Sequence, residues 1–222
     1  MFIGHFAAGM AAKKIQPTLS LGILFLAAQF LDLLWPTLLL LGIEHVIISP
    51  GISKVTPLDF VDYPISHSLF VVIIWSLLFG AAFFLFTRNR ISALVLGGLV
   101  FSHWVLDLIV HIPDLPLYPG PSPRVGLGLW NSPSLTVLIE CTIFVVGIVL
   151  YVNTKKKKNQ PVTWKFWSLI AFLIVIHALN FFGPPPPNVY MIAWAGQLQW
   201  LFVLGGWWAD KKSPRSFDLT II

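Results

Sequence analysis

Polar residues divide the chain into six long apolar stretches: Leu19–Ile43, Ile65–Thr87, Ile91–Ile112, Ser134–Val152, Lys165–Gly183 and Val189–Ala209. An apolar helix needs about 20 residues to cross the hydrocarbon core of a bilayer. The pattern therefore predicts an all-α, polytopic integral membrane protein with about six transmembrane helices. A further apolar segment, residues 1–16, precedes them and predicts a short N-terminal re-entrant or interfacial helix. The first long stretch lacks a small-x-small cleavage site and is too long for a signal core, so it reads as a retained span. The chain shows no internal repeat and no soluble domain. It reads as one transmembrane domain over 1–222, with an N-terminal helix at 1–16, a motif-bearing half at 17–133, C-terminal helices at 134–209 and a cytoplasmic tail at 210–222.

Composition narrows the class. Of 222 residues, 57% are hydrophobic and 10% charged, and the mean hydropathy is +0.83. A soluble domain is about 25% charged, so an ordinary soluble enzyme and a nucleic-acid-binding domain are excluded. The net charge of +5 is explained by placement. Six crossings put Lys13, Lys14, Arg88, Arg90, Lys155 to Lys158, Lys165, Lys211, Lys212 and Arg215 on one side, and only Lys54 and Arg124 on the other. The positive-inside rule then makes both termini cytoplasmic, and short loops with lysine anchors suit a bacterial inner membrane. Beside a span, Lys155 to Lys158 read as an anchor on anionic lipid headgroups rather than a nucleic-acid patch. Trp164, Trp167, Trp207 and Trp208 fall where amphipathic rings settle at the headgroups. Cys141, the one cysteine, excludes an internal disulfide and reads as a buried structural thiol.

Against this apolar background, ionisable groups within the spans stand out, because each is costly there. They are Asp32, His103, Asp107, Glu140 and His177, with His67 and His111 at span ends. At 1.5 Å rise per residue they lie roughly 7–16 Å below the outer surface, in one layer drawn from four helices. Asn180 and Gln197 share the layer and could supply supporting hydrogen bonds. His103, Asp107 and His111 recur every four residues, which places them on one helix face. A His/Asp pair at i, i+4 can offer a nitrogen and an oxygen to one metal ion. A polar interhelical network and a proton path are the competing readings of that stripe. Asp114 follows the span directly. Glu140 reads as a general base, an extra ligand or a structural carboxylate; His177 reads equally as a core histidine. Asp59 and Asp62 read as solvated loop residues, and Pro184 to Pro187 as a stiff turn.

Four segments together resemble a known family: "GHFAAG" at 4–9, "FLDLLWP" at 30–36, "SHS" at 66–68 and "SHWVLD" at 102–107. They are similar in order and spacing, over residues 1–115, to the membrane-bound metal-dependent hydrolases of the YdjM-like group. Two departures stand out: no Arg-Gly precedes Ser66, and Leu34 stands where a second carboxylate of the acidic motif would fall. The family is distantly similar to the zinc-dependent phospholipase C and nuclease fold. The resemblance implies that His5, Asp32, His67, His103 and Asp107 bind a divalent metal, zinc being expected, and that the reaction is hydrolysis of an ester or phosphoester. His5 precedes the inner lysines, so residues 1–12 would have to fold back into the bundle, with Gln16-Pro17 as the turn.

The expected function is a metal-dependent membrane hydrolase that uses metal-activated water, with His111, Glu140 or His177 completing the site or acting as base. Its partners would be the lipid bilayer and a lipid-linked or small-molecule substrate, with no nucleic acid. A divalent-cation or proton transporter and a non-catalytic membrane scaffold are the alternatives.

Overall fold

The computed structural model describes residues 1–210; Lys211, Lys212, Arg215 and the rest of the expected tail lie outside the described residues. The chain is a mainly helical membrane protein. Four helices are long and apolar enough to cross a bilayer: α5 (Leu69–Thr87), α6 (Arg90–Val110), α7 (Pro133–Lys157) and α8 (Trp164–Phe182). The two other expected spans are broken. Leu19–Ile43 divides into α2 (Leu21–Ala28) and α3 (Phe30–Leu40), bent by 56° at Gln29. Val189–Ala209 divides into α9 (Val189–Gln197) and α10 (Trp200–Asp210) at Leu198-Gln199. Four helices therefore qualify as spans, or five if α2 and α3 count as one.

Other corrections are local. The stretch starting at Ile65 opens with a separate turn, α4 (Pro64–His67), before α5. The long connections at 44–64 and 113–133 are not plain loops. They carry two hairpins, β1 (His45–Ile48) with β2 (Leu58–Asp62) and β3 (Leu115–Pro116) with β4 (Arg124–Val125). Arg124 donates from its guanidinium to the carbonyls of Phe60 and Val61, tying the hairpins together. Cys141 is exposed on α7 rather than buried, so its thiol lies on the surface a bilayer would cover.

The short helix α1 (Phe2–Ala12) is buried in the bundle. Small residues permit this. A Cβ on Gly147 of α7 would lie 2.7 Å from the Ala7 Cα, so α1 and α7 touch backbone to backbone. Phe6 and Met10, both fully buried, fill the space toward α2 and α10 with Phe25 and Phe202.

A clasp holds the lysine-bearing end together. Asp210 Oδ2 accepts from Lys13 Nζ (2.5 Å) and from the Leu21 amide (3.0 Å), and Asp210 Oδ1 accepts from Lys155 Nζ (3.0 Å) and the Tyr151 hydroxyl (3.1 Å). One carboxylate thus ties α1, α2, α7 and α10. Burial acts to raise the Asp210 carboxyl pKa, but bonding and charge from Lys13 and Lys155 outweigh it and hold the pKa below the usual range. A depressed carboxyl stabilises the fold fully above its unfolded pKa, and that contribution is lost as pH falls through the folded value. The melting temperature of detergent-solubilised protein should therefore drop on acidification below about pH 4. Asp210→Ala, which leaves Lys13 buried with carbonyl partners but no counter-charge, should cost about 3 kcal/mol. An unchanged melting temperature in that variant would show that the clasp carries no stability.

Candidate metal centre

Five of the residues singled out in the sequence meet inside the bundle. His103 and Asp107 come from one face of α6, as their i, i+4 spacing requires. His67 ends α4, Asp32 projects from the first turn of α3, and His5 projects from α1. His5, His67, His103 and Asp107 are each at most 4% exposed; the Asp32 side chain is 24% exposed and forms the open edge.

Four atoms form a ring of close neighbours. His103 Nε2 lies 3.2 Å from Asp107 Oδ2 and 3.6 Å from Asp32 Oδ1. His67 Nε2 lies 3.6 Å from Asp32 Oδ1 and 3.7 Å from Asp107 Oδ2. In a tetrahedral zinc site with metal–ligand bonds near 2.1 Å, neighbouring ligand atoms are about 3.4 Å apart. The observed edges bracket that value. Asp107 turns its other oxygen, Oδ1, to His5 Nε2 at 3.1 Å and to the Met1 amino group. The His5 ring lies parallel on His103, with centroids 3.6 Å apart. Two overlapping groups, His5–His103–Asp107 and Asp32–His67–His103, are each compact enough to hold an ion.

Hydrogen bonds behind the ligands fix which ring nitrogen faces inward. His103 Nδ1 lies 2.7 Å from the Ala28 carbonyl, which can only accept, so Nδ1 carries the proton. Ser66 Oγ donates to Glu44 Oε2 (2.6 Å), so it accepts from His67 Nδ1–H (2.7 Å). In both neutral rings Nε2 then presents a lone pair to carboxylate oxygens, and His103 Nε2 makes no aligned hydrogen bond among the described residues. Two lone pairs facing two carboxylates repel, and either a metal cation between them or a proton on Nε2 relieves that repulsion. The donor set, two imidazoles and two carboxylates, suits zinc.

Local breaks in the backbone create this arrangement. The interruption at Gln29 frees the Ala28 carbonyl for His103 and turns α3 so that Asp32 points inward. The turn α4 is anchored at both ends. Glu44 Oε1 accepts from the Ile65 and Ser66 amides (2.7 and 2.8 Å), and the indoles of Trp75 and Trp104 donate to the Ile65 and His67 carbonyls (both 2.9 Å). Glu44, 1% exposed, was not visible as a site residue in the sequence; its only signal is a lone carboxylate at the end of an apolar stretch. Ser66 stood inside a recognised motif without an assigned role.

The other expected residues lie elsewhere. His111 does not continue the His103–Asp107 stripe. Helix α6 ends at Val110 because Pro113 biases Ile112 away from helical backbone, and His111 is extended, with φ −61° and ψ 144°. Its Nδ1 meets Asp114 Oδ1 at 2.8 Å, which also accepts from the Tyr63 hydroxyl at 3.1 Å. Burial first, then the Asp114 charge, pushes the Tyr63 hydroxyl pKa well above its usual value. This cluster backs onto the centre where Tyr63 packs on His67, ring centroids 5.2 Å apart. Glu140 is 3% exposed and faces the Phe2 and Ile3 amides at the start of α1; its Oε2 has no partner among the described residues. His177 stacks on Phe2 at 6.2 Å. Gln197 donates to Thr37 Oγ1, and exposed Asn180 lines a surface cleft with Lys54, so neither bonds a ligand residue. Asp62 faces His45 at 3.4 Å on the exposed β1–β2 hairpin.

The supporting bonds make a prediction. Glu44→Gln and Ser66→Ala should leave the ligands in place but free His67 to turn, weakening zinc affinity by about 10- to 100-fold. Competition with a chromogenic chelator measures this, and wild-type affinity in both variants would remove the Glu44–Ser66–His67 chain from the site. No protein-family model, no curated protein and no solved structure matches the chain.

Proposed function

We propose that the protein is a metal-dependent membrane hydrolase acting on an ester or phosphoester carried on a lipid, with zinc as the metal. The observation that carries this reading is the convergence of Asp32, His67, His103 and Asp107, with His–Asp distances of 3.2–3.7 Å in two overlapping groups and with the tautomers of both histidines set so that Nε2 faces inward. His5 joins through the second oxygen of Asp107. When bound, the metal supplies Lewis acidity: it lowers the pKa of water toward neutrality and polarises the scissile ester. The chain's own residues do the rest. Ser66, Glu44 and the Ala28 carbonyl orient the ligands. Apolar helices exclude bulk water, and the half-open Asp32 edge admits substrate. Glu140 Oε2 and His177 Nε2 both lack partners among the described residues; Glu140 is the more deeply buried of the two, and we assign it the proton-accepting role.

The same reading takes α2–α3 and α9–α10 as two broken crossings, making six. The lysine-bearing end and both termini then face the cytoplasm, and the hairpins face outward across a bacterial inner membrane. The membrane-bound metal-dependent hydrolase resemblance, the YdjM-like pattern, supports the reading through the same five residues. One observation favours transport of a divalent cation instead: two broken helices packed together are also how transporters build mid-membrane ion sites.

Elemental analysis of purified protein tests the proposal. Wild type should hold zinc in a fixed ratio, and His103→Ala and Asp107→Ala should lose it. Retention should decline as pH falls below about 6.5, where imidazoles take up protons. Absence of metal from wild type after repletion would sink the reading. Proteoliposomes separate the alternatives: zinc-dependent cleavage of an ester-linked lipid supports hydrolysis, whereas metal flux without cleavage supports transport.

A further inference from the structure

We propose that the two helix breaks together form a second polar site in the middle of the bundle, beside the metal centre, and that its ligand is water. The two broken pairs run antiparallel. On one side of the breaks, a Cβ on Gly206 would lie 2.9 Å from the Gly22 Cα. On the other, a Cβ on Gly196 would lie 2.4 Å from the Pro36 Cγ, and Gln197 Nε2 donates to Thr37 Oγ1 at 2.8 Å. These contacts bracket both interruptions, so Gln29 and Gln199 are brought opposite one another.

Both residues carry orphaned polar atoms. Gln29 is 0% exposed, and neither its amide nitrogen nor its amide oxygen has a partner among the described residues; Gln199 Oε1 is buried in the same condition. A buried amide left unpaired bears its full desolvation cost, and native proteins satisfy such groups with ordered water that makes two to four hydrogen bonds. Uncharged amides that both donate and accept match water and do not select an anion or a cation. The break at Gln29 is buried within protein, whereas the α9–α10 break is half-exposed and turns only the Gln199 side-chain oxygen inward.

The position links this water to chemistry. Ala28, whose carbonyl holds His103 Nδ1, is adjacent to Gln29, and Asp32 lies one turn along α3. Hydrolysis consumes one water per ester cleaved, and beyond its Asp32 edge the centre is walled by apolar helices. The role of the site as a water store rests on the hydrolase reading; its occupancy by water does not.

Solid-state NMR of wild-type protein in bilayers tests the inference directly. Ala28-Gln29 and Leu198-Gln199 are the only Ala-Gln and Leu-Gln pairs in the chain, so pairwise isotope labelling identifies both glutamines without mutation. Magnetisation transferred from water should reach their side-chain amides as fast as it reaches the exposed hairpin, in protein stripped of metal and in protein reloaded with zinc. A Gln29 amide that receives water magnetisation no faster than the fully buried Leu24 overturns the inference. Rapid transfer to Gln29 in a protein that binds no metal would keep the water site and discard the hydrolase reading, and dry glutamines in a zinc-loaded protein would do the reverse.

Discussion

The fold is organised around a repulsion. Two imidazole lone pairs and two carboxylates are directed at one point within an apolar bundle, where charges interact far more strongly than in water. An arrangement of this kind persists only where the surrounding bonds fix each group and positive charge offsets the carboxylates, as the Met1 amino group does for Asp107. The Ala28 carbonyl and the Ser66–Glu44 pair fix the histidines by binding the nitrogen that points away. Neither ring can turn without leaving a buried carbonyl or hydroxyl unpaired, so the inward direction of Nε2 is enforced by the hydrogen bonds behind it.

Continuous helices could not supply these bonds, because an unbroken helix pairs its own carbonyls. Each interruption therefore has a consequence at the centre. The break at Gln29 releases a carbonyl and redirects Asp32. The break between α4 and α5 leaves His67 at the end of a single turn, held by a carboxylate at one end and by two indoles at the other. Irregular backbone is tolerated at membrane depth only where protein or a polar cavity surrounds it, and here side chains from neighbouring helices meet that condition.

What the sequence revealed follows from the range of each interaction. The His103–Asp107 pair was legible because helical spacing is local and regular. Asp32, His5 and His67 were legible as costly polar groups among apolar neighbours and through short motifs. Glu44 was not, because its contact with Ser66 joins residues 22 positions apart across the β1–β2 hairpin. The helix breaks were not legible either. Pro36 lies inside α3 without ending it, whereas the chain breaks at Gln29, which has no breaker chemistry of its own. His111 was misplaced for a legible reason: Pro113 marks the helix end, and a regular four-residue spacing was carried past it. Burial of Cys141 and supporting roles for Asn180 and Gln197 were inferred from hydropathy and depth, which report immersion in the membrane region but not which helix face meets protein.

The clasp and the candidate metal centre are mechanically connected through α1. Lys13 fixes the C-terminal end of this helix to Asp210, and His5, two turns away, contacts Asp107. Eight residues of helix span about 12 Å, and a helix this short has little freedom to compress or stretch. The height of His5 is thus set by an ion pair at the lysine-bearing end, while its lateral position is set by the close contact of Ala7 with Gly147. Most ligands of the centre are held by bonds within a few ångströms of it. His5 is held by the length of a helix, and through that helix the charge balance at one end of the bundle bears on the geometry of a site buried about 12 Å away.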